Sequence, residues 1–483
     1  MKKIIFGIFF SLMLPTLVMA QNGTSIYATM DAADAVIFQN LYPEAVEILA
    51  THDSEAAVLL SEEVLHKIHD NVRTHGPGYI FQASKEKALA ALNVVAGRTA
   101  EMDYSITEDA LVNECLDLVD GINIENDILA LQSYGTRYHT KPQAVQAVLD
   151  QQAKWDAMIV AAGRTDMHTR IFEHVNTPMP SVILTIDGAN NPDEFVIIGG
   201  HIDSTSWDKN DAPGADDNAS GIASLNEMVR VLLEKEFVPN RTIEVMAYAA
   251  EEIGLVGSKE IAAEYASNGV NVLAYVQFDM TGYKGSSSDI YITTDSYNSS
   301  GLSGFLTDLM DHYNATNANA DHNFTYNYTQ CGYACSDHAS WAQNGYETAF
   351  PFEAAMGQDN PNIHSPSDVY SFFNTPNHAV KFTKLGLEFL IEAAKPEALG
   401  INDYSVDAMS FFVKDKTLNY RLKNTGSMVS EVAIYNIMGQ CIFSSRLKSK
   451  DGNMDLNQFS GGFYIVKFTL ENNHILTKKF ILN

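Results

Sequence analysis

Residues 194–220 read EFVIIGGHIDSTSWDKNDAPGADDNAS, and the order of residue types in this stretch decides the fold. A short apolar run, Phe195 to Ile198, ends in two glycines and His201. Turn-forming sequence rich in aspartate follows, and then a segment whose apolar residues Ile222, Leu225, Val229 and Leu232 share one helical face. Strand, polar turn and amphipathic helix in this order make half of a parallel βαβ unit. Sheets of that kind gather their ligands outside the carboxyl ends of the strands.

The same rhythm extends in both directions. Ser181 to Ile186 and Glu194 to Ile198 are strand-like runs separated by the turn Asp187-Gly188-Ala189-Asn190, which suits a hairpin. Thr242 to Ala250, Val272 to Met280 and Ile290 to Thr293 are further strand candidates. They alternate with helical segments Ala219 to Lys235, Ser258 to Ser267 and Leu302 to Tyr313, behind a helix-rich opening of Asn126 to Leu131 and Gln143 to Ala162. The expected class is α/β, a central, mostly parallel twisted sheet covered by helices on both faces.

At 483 residues the chain has room for further domains on either side. Residues 1–20 have the Lys2-Lys3 start, apolar middle and small-residue end of a secretory signal peptide. Residues 21–112 read as an N-terminal prodomain. Its helical runs, Asp53 to Asp70 and Lys85 to Ala96, are joined by HGPGYIF, a turn followed by a short apolar run. His66, His69 and His75 invite a metal reading there, but His66 and His69 are one helical turn apart with no carboxylate-rich turn or strand end to join them, and exposed helix-face histidines are the expected reading. Residues 113–395 carry the α/β pattern, and 396–404 make a linker. Residues 405–483 suggest a small all-β sandwich, with runs Met409 to Val413, Leu418 to Lys423, Val432 to Ile437, Phe463 to Leu470 and Ile475 to Leu482.

Thirty-one basic against 60 acidic residues give a net charge of −29, which repels phosphate backbones and argues against nucleic acid. Past the signal no stretch is apolar enough to span a bilayer, so no transmembrane anchor is expected in the mature chain. Cys331 and Cys335 lie four apart, a spacing open to a disulfide or to half a zinc site; no second Cys/His pair at zinc-finger spacing accompanies them, which favours the disulfide. Cys115 and Cys441 are isolated.

Chemistry-bearing residues converge on the strand ends. His201 follows EFVIIGG, Glu251 and Glu252 follow IEVMAYAA, and Asp279 ends VLAYVQFD. Three separate segments thus deliver imidazole or carboxylate to one edge of the sheet. Asp216 and Asp217, in PGADDNASG, precede a helix and could be caps as easily as ligands.

The motifs GGHIDS, APGADDNASGIA, MAYAAEEIGLVGS, QFDMTGYKG, CGYACSDHASW and NPNIHS, in this order, resemble those of the bacterial leucyl aminopeptidases, a secreted, two-zinc metallopeptidase family. The resemblance covers roughly Asn113 to Lys395. It implies zinc ligands at His201, Asp217, Glu252, Asp279 and His364, with Asp217 bridging two Zn2+ ions and followed by a cis peptide. It implies Glu251 as the general base for attack by a metal-bound hydroxide. Asp203 is the expected carboxylate partner of His201, and Tyr333 an expected hydrogen-bond donor to the developing oxyanion. The implied specificity pocket is apolar, lined by Met280, Cys331, Tyr333, Cys335, Phe350, Phe352, Met356 and Ile363, and suited to a large N-terminal residue such as leucine, phenylalanine or methionine. Peptides with a free N-terminus are the expected substrates, and a monomer the expected state. The alternatives are a glutaminyl cyclase-like enzyme with one zinc and a non-catalytic binding ectodomain on the same fold; five ligands and Glu251 argue against both.

The chain's end, with VAIYNIMGQ, SGGFYIVKF and TKKFILN, resembles the carboxy-terminal sorting domain of the type IX secretion system of the Bacteroidetes. That implies secretion machinery as a partner, and export first to the periplasm and then to the cell surface or medium.

Overall fold

The computed structural model describes residues 25–72, 75–93, 102–317, 319, 322–397, 409–414, 416–422, 428–436, 439–470 and 475–482. The signal peptide, most of the linker and the side chains of His66 and His69 lie outside the described residues. The chain divides into two compact units between Pro396 and Glu397.

The first unit opens with β1 (Ser25–Asp31), α1 (Ala32–Leu41), β2 (Val46–His52), β3 (Glu55–Ser61), α2 (Glu62–Val72), β4 (Ile80–Gln82) and α3 (Lys85–Ala91). The strands form an antiparallel sheet in the order β2-β3-β1-β4. Here the expected helix from Asp53 is corrected, because Glu55–Ser61 is an inner strand and α2 begins only at Glu62. Ala56, Ala57, Val58 and Leu60 are all buried, and so continuous an apolar run has no period to distinguish strand from helix.

The α/β layer follows as α4 (Asp109–Leu116), α5 (Gly121–Gln132), α6 (Pro142–Ala162), β5 (Met167–Phe172), β6 (Ser181–Ile186), β7 (Asn191–His201), α7 (Gly221–Glu234), β8 (Arg241–Tyr248), α8 (Val256–Asn268) and β9 (Asn271–Gln277). After it come β10 (Ile290–Thr293), α9 (Ser300–Thr316), β11 (Tyr326–Thr329), α10 (His338–Gln343), β12 (Thr348–Ala349), β13 (Pro351–Phe352), α11 (Tyr370–Phe373) and α12 (Asn377–Ala394). The main sheet has the order β12-β9-β7-β8-β6-β5, and its centre, β12-β9-β7-β8, is parallel. Alternate residues of each strand serve opposite faces. Val196, Ile198, Ile243 and Val245 pack with α7 and α12, including all four residues of the expected α7 face, Ile222, Leu225, Val229 and Leu232. Ile197, Met246 and Tyr275 pack with Ile261 and Tyr265 of α8 and Trp341 of α10.

The expected β6–β7 hairpin does not form. β8 lies between the two strands, antiparallel to β6 and parallel to β7. The loop Asp187–Asn190 serves β8 instead: Gly188 donates to Thr242 Oγ1, and Ala189 to the carbonyl of Pro239. β10 is also displaced from the main sheet, into a small one ordered β11-β10-β13.

The second unit holds β14 (Met409–Lys414), β15 (Thr417–Leu422), β16 (Val429–Asn436), β17 (Cys441–Ser449), β18 (Asp451–Asp455), β19 (Gly462–Leu470) and β20 (Ile475–Leu482). Two antiparallel sheets, β14-β15-β18 and β17-β16-β19-β20, enclose one core that includes Leu418, Tyr420, Val432, Ile434, Val466 and Phe468. This is the expected small sandwich.

Candidate active site

The central parallel strands end at the candidate ligands. β7 terminates in His201, and its neighbours approach closely: a Cβ on Gly200 would come 2.3 Å from the carbonyl oxygen of Phe278, just beyond β9. Beyond β8 the chain turns through Ala250, whose φ is 56°, into a short 3-10 turn carrying Glu251 and Glu252. Beyond β9 it presents Asp279, followed by Met280 at φ 59°. His364, in the loop before α11, has φ 56°. Non-glycine residues in this left-handed region are strained, and they persist where surrounding contacts fix them.

Asp217 lies in the loop between β7 and α7, and the Asp217–Asn218 peptide is cis. The carboxylate of Asp368 accepts the backbone N–H groups of Asp216 (3.1 Å) and Asp217 (3.0 Å). Asn218, fully buried, ties this loop to β9: its Nδ2 donates to Phe278 O (3.0 Å), and its Oδ1 accepts from the N–H of Gly221 (2.9 Å) and of Met280 (3.2 Å). Arg137, also fully buried, donates to the carbonyls of Leu131, Ile202, Pro213 and Gly214, clamping the loop after β7 at both ends. Burial lowers its guanidinium to about 10, where it stays charged at neutral pH.

These elements bring the five sequence-predicted ligands together as two groups that share Asp217. His201 Nε2 lies 3.1 Å from Asp217 Oδ1 and 3.1 Å from Asp279 Oδ1. His364 Nε2 lies 2.9 Å from Asp217 Oδ2 and 3.4 Å from Glu252 Oε2. In each group the ligand atoms fall within 4.8 Å of one another. Asp203 sits behind them: its main-chain oxygen is 3.2 Å and its Oδ1 3.4 Å from His201 Nδ1, while its carboxylate accepts the N–H of Glu251 and of Glu252. One aspartate thus orients three site residues.

The donor set fits divalent cations. Both oxygens of Asp217 and of Glu252, and Oε1 of Glu251, are buried and receive no well-directed hydrogen bond. Burial drives the carboxyls of Glu251 and Glu252 well above their usual range, and neighbouring carboxylates push the same way against His201. Burial alone would lower the His201 imidazole, but Asp279 and Glu251 outweigh it and hold it high. Buried carboxylate oxygens without well-directed hydrogen bonds, set among imidazoles, are what zinc ligation by nitrogen and oxygen donors satisfies.

The expected pocket residues also converge. Met280, Cys331, Tyr333, Cys335, Phe350, Phe352 and Ile363 form one buried apolar cluster, with Met356 packed against it. Cys331 and Cys335 are disulfide-bonded. The hydroxyl of Tyr333 donates to the carbonyl of His75, a residue of the N-terminal segment.

His75 corrects the sequence reading. Set aside there with His66 and His69, it lies in the loop before β4, 1% exposed, with Nε2 3.1 Å from Asp279 Oδ2. The glycines flanking Pro77 were the one signal of an unusual loop. Arg137 and Asp368 also escaped the sequence reading, because nothing local distinguishes them.

The family model for peptidase family M28 matches residues 181–387, and that for a secretion system C-terminal sorting domain matches 414–483. Leucine aminopeptidase 1 of Arthroderma gypseum is 33% identical over 306 residues, a span of 60% of this chain and 79% of the relative. LapB and the LapA aminopeptidase, both of Legionella pneumophila, are each 27% identical with a TM-score of 0.66; the matches cover 77% and 78% of this chain and all of theirs. Catalytic-domain motifs, fold and donor set therefore agree, and the chain belongs to peptidase family M28 as a metallo-aminopeptidase with a C-terminal secretion sorting domain.

Proposed function

We propose that this enzyme is a secreted dizinc aminopeptidase that removes large hydrophobic residues, such as leucine, phenylalanine and methionine, from peptides with a free N-terminus. The observation that carries the reading is the sharing of Asp217 by two three-residue donor groups, the arrangement a bridging carboxylate needs. His201, Asp279 and Asp217 would hold one zinc, and Glu252, His364 and Asp217 the other. Bound zinc would polarise the scissile carbonyl and acidify the attacking water.

The chain's own groups do the rest. Glu251, adjacent to Glu252 on the same turn, accepts the proton of the attacking water and returns it to the leaving amine. Asp203 keeps His201 oriented through Nδ1 and holds the turn that carries Glu251. The carboxylates around Glu252 attract the substrate's α-ammonium group, which limits cleavage to the first peptide bond. The apolar cluster around Phe350 and Phe352 receives the first side chain. The hydroxyl of Tyr333, at that cluster, would donate to the scissile carbonyl as charge develops on it, in exchange for its bond to the carbonyl of His75. The sorting domain supports export across the outer membrane, after a signal peptide in residues 1–20.

A panel of chromogenic aminoacyl amides, assayed on protein of measured zinc content, tests the reading. Leucyl, phenylalanyl and methionyl amides should be cut fastest at two zincs per chain. Cleavage of an N-terminally blocked peptide would sink the aminopeptidase assignment, and full activity at one zinc per chain would remove the bridging role of Asp217.

A further inference from the structure

We propose that the cavity opening from Glu252 is the subsite for the residue on the leaving side of the scissile bond, and that Lys209 there recognises a carboxylate carried by that residue. The inference rests on the reading above that the metal site and the apolar cluster take the substrate's first residue.

A peptide held by its α-ammonium and its first side chain has to run on past the scissile bond through space that neither uses. Such space begins at the ligands. A cavity of about 290 Å³ has Glu252 in its wall, with Tyr138, Thr205 and Lys209 beside it, and shares no residue with the apolar cluster around Phe350 and Phe352. Glu62 and Tyr79 of the N-terminal domain line it as well. Among the described residues that line it, Lys209 is the one cation.

Lys209 is half-buried and held in position. Its Nζ donates to Thr205 Oγ1 at 2.6 Å and lies 4.8 Å from the centroid of the Tyr138 ring, whose face attracts a cation. The hydroxyl of Thr136 donates to the carbonyl of Lys209 and accepts the N–H of Tyr138, both at 3.1 Å, so one threonine ties the two residues together. Earlier in the same loop the N–H of Trp207 donates to the carbonyl of His364 at 3.2 Å. The loop that carries the ammonium is thus anchored to a candidate metal ligand, and much of the ordering that a ligand would otherwise impose on it is already done. Charge then selects the ligand class. The chain has a net charge of −29, and the carboxylates of the site repel another carboxylate unless a cation receives it. Lys209 is near enough to Glu252 to favour its ionised form, so its field reaches the reacting centre. An apolar second residue gains nothing from an ammonium in this place; a carboxylate does. Two sources supply one, the C-terminus of a dipeptide or an aspartate or glutamate side chain in a longer peptide.

The experiment is titration calorimetry on zinc-loaded full chain with phosphinic pseudodipeptides, which resist cleavage and so read binding without turnover. One is the leucine–glycine analogue with a free carboxylate, one its carboxamide, and one the leucine–aspartate analogue blocked as the main-chain carboxamide. The parent should bind at least one carboxylate-bearing ligand about tenfold more tightly than the glycine carboxamide, the increment of a hydrogen bond between charged groups. The carboxylate that is favoured identifies the source. K209M should abolish the preference and K209R should keep most of it, since arginine retains the charge. E62Q, which removes another carboxylate from the same cavity, should widen it. Equal affinity for the three ligands in both parent and E62Q, or a preference that survives K209M, overturns the subsite. A carboxylate preference that depends on Lys209, without hydrolysis of any aminoacyl amide, upholds the subsite and fails the aminopeptidase reading instead.

Discussion

Replacing Asn218 by alanine removes a side chain that binds no metal in the proposed arrangement yet aligns the elements that do. The native amide makes three buried hydrogen bonds, to Phe278 O at 3.0 Å and from the N–H groups of Gly221 and Met280 at 2.9 and 3.2 Å. Alanine offers none, and three backbone groups lose their partner in a fully buried setting. Each buried group left unsatisfied costs about 1–3 kcal/mol, but the vacated volume is roughly that of one water, which re-pairs two or three polar groups. The net loss is therefore about 2–4 kcal/mol. For a unit of this size that lowers the melting temperature by about 3–5 °C. Because Asn218 joins the Asp217 loop to the strand end that carries Asp279, zinc affinity should also fall, by about 10–100-fold as for other residues that orient ligands. Thermal melting of zinc-loaded protein and competition against a chromogenic chelator measure both effects. A variant that melts within about 2 °C of the parent and binds zinc as tightly would refute the claim that this amide sets the spacing of the site.

Glu251→Gln should retain zinc, measured by metal analysis, while losing about 10²–10⁴-fold in kcat, since the amide cannot accept the water's proton. Prolonged chelation should abolish turnover and restoring zinc should recover it; zinc at a thousandfold excess over its Kd adds about 4 kcal/mol per site, so the chelated protein should melt at visibly lower temperature. In the folded chain iodoacetamide should modify Cys441, which is exposed, and spare Cys115, whose thiol is buried and pushed up to about 12; peptide mass spectrometry reads both, and alkylation of Cys115 at neutral pH without unfolding would contradict its placement.

The α/β rhythm was legible because each buried strand is flanked by turns and each helix carries a periodic face, as α7 does with Ile222, Leu225, Val229 and Leu232. Strand neighbours were not legible. The reversal between β6 and β7 was read correctly as a change of direction, yet β8 intervenes, because pairing partners are chosen by side-chain packing across the whole sheet and not by the intervening loop. In the N-terminal domain the run of Glu55–Ser61 is buried along most of its length, so no alternation announces a strand, and the helical pattern of α2 spread backward over it in the reading.

The site divides in the same way. His201, Glu252 and Asp279 are set by the ends of their own strands, and a local pattern suffices to find them. His364 is held by contacts from afar, its carbonyl accepting the N–H of Trp207, and only the resemblance to a known family picked it out. The pair Asp216-Asp217 shows why distance matters, since both residues have the same neighbours in sequence and either could have been the bridge. Asp368, 151 residues beyond Asp217, fixes the backbone of both through their N–H groups. With the backbone fixed, Asp216 turns its oxygens to the N–H of Gly282 (2.9 Å) and the amide of Asn360 (3.0 Å), so that both are already hydrogen-bonded. Asp217 is left facing both imidazoles with neither oxygen well hydrogen-bonded. In the proposed arrangement the bridge therefore falls to Asp217 because of what Asp216 has already bound, and that follows from residues no window around the pair contains.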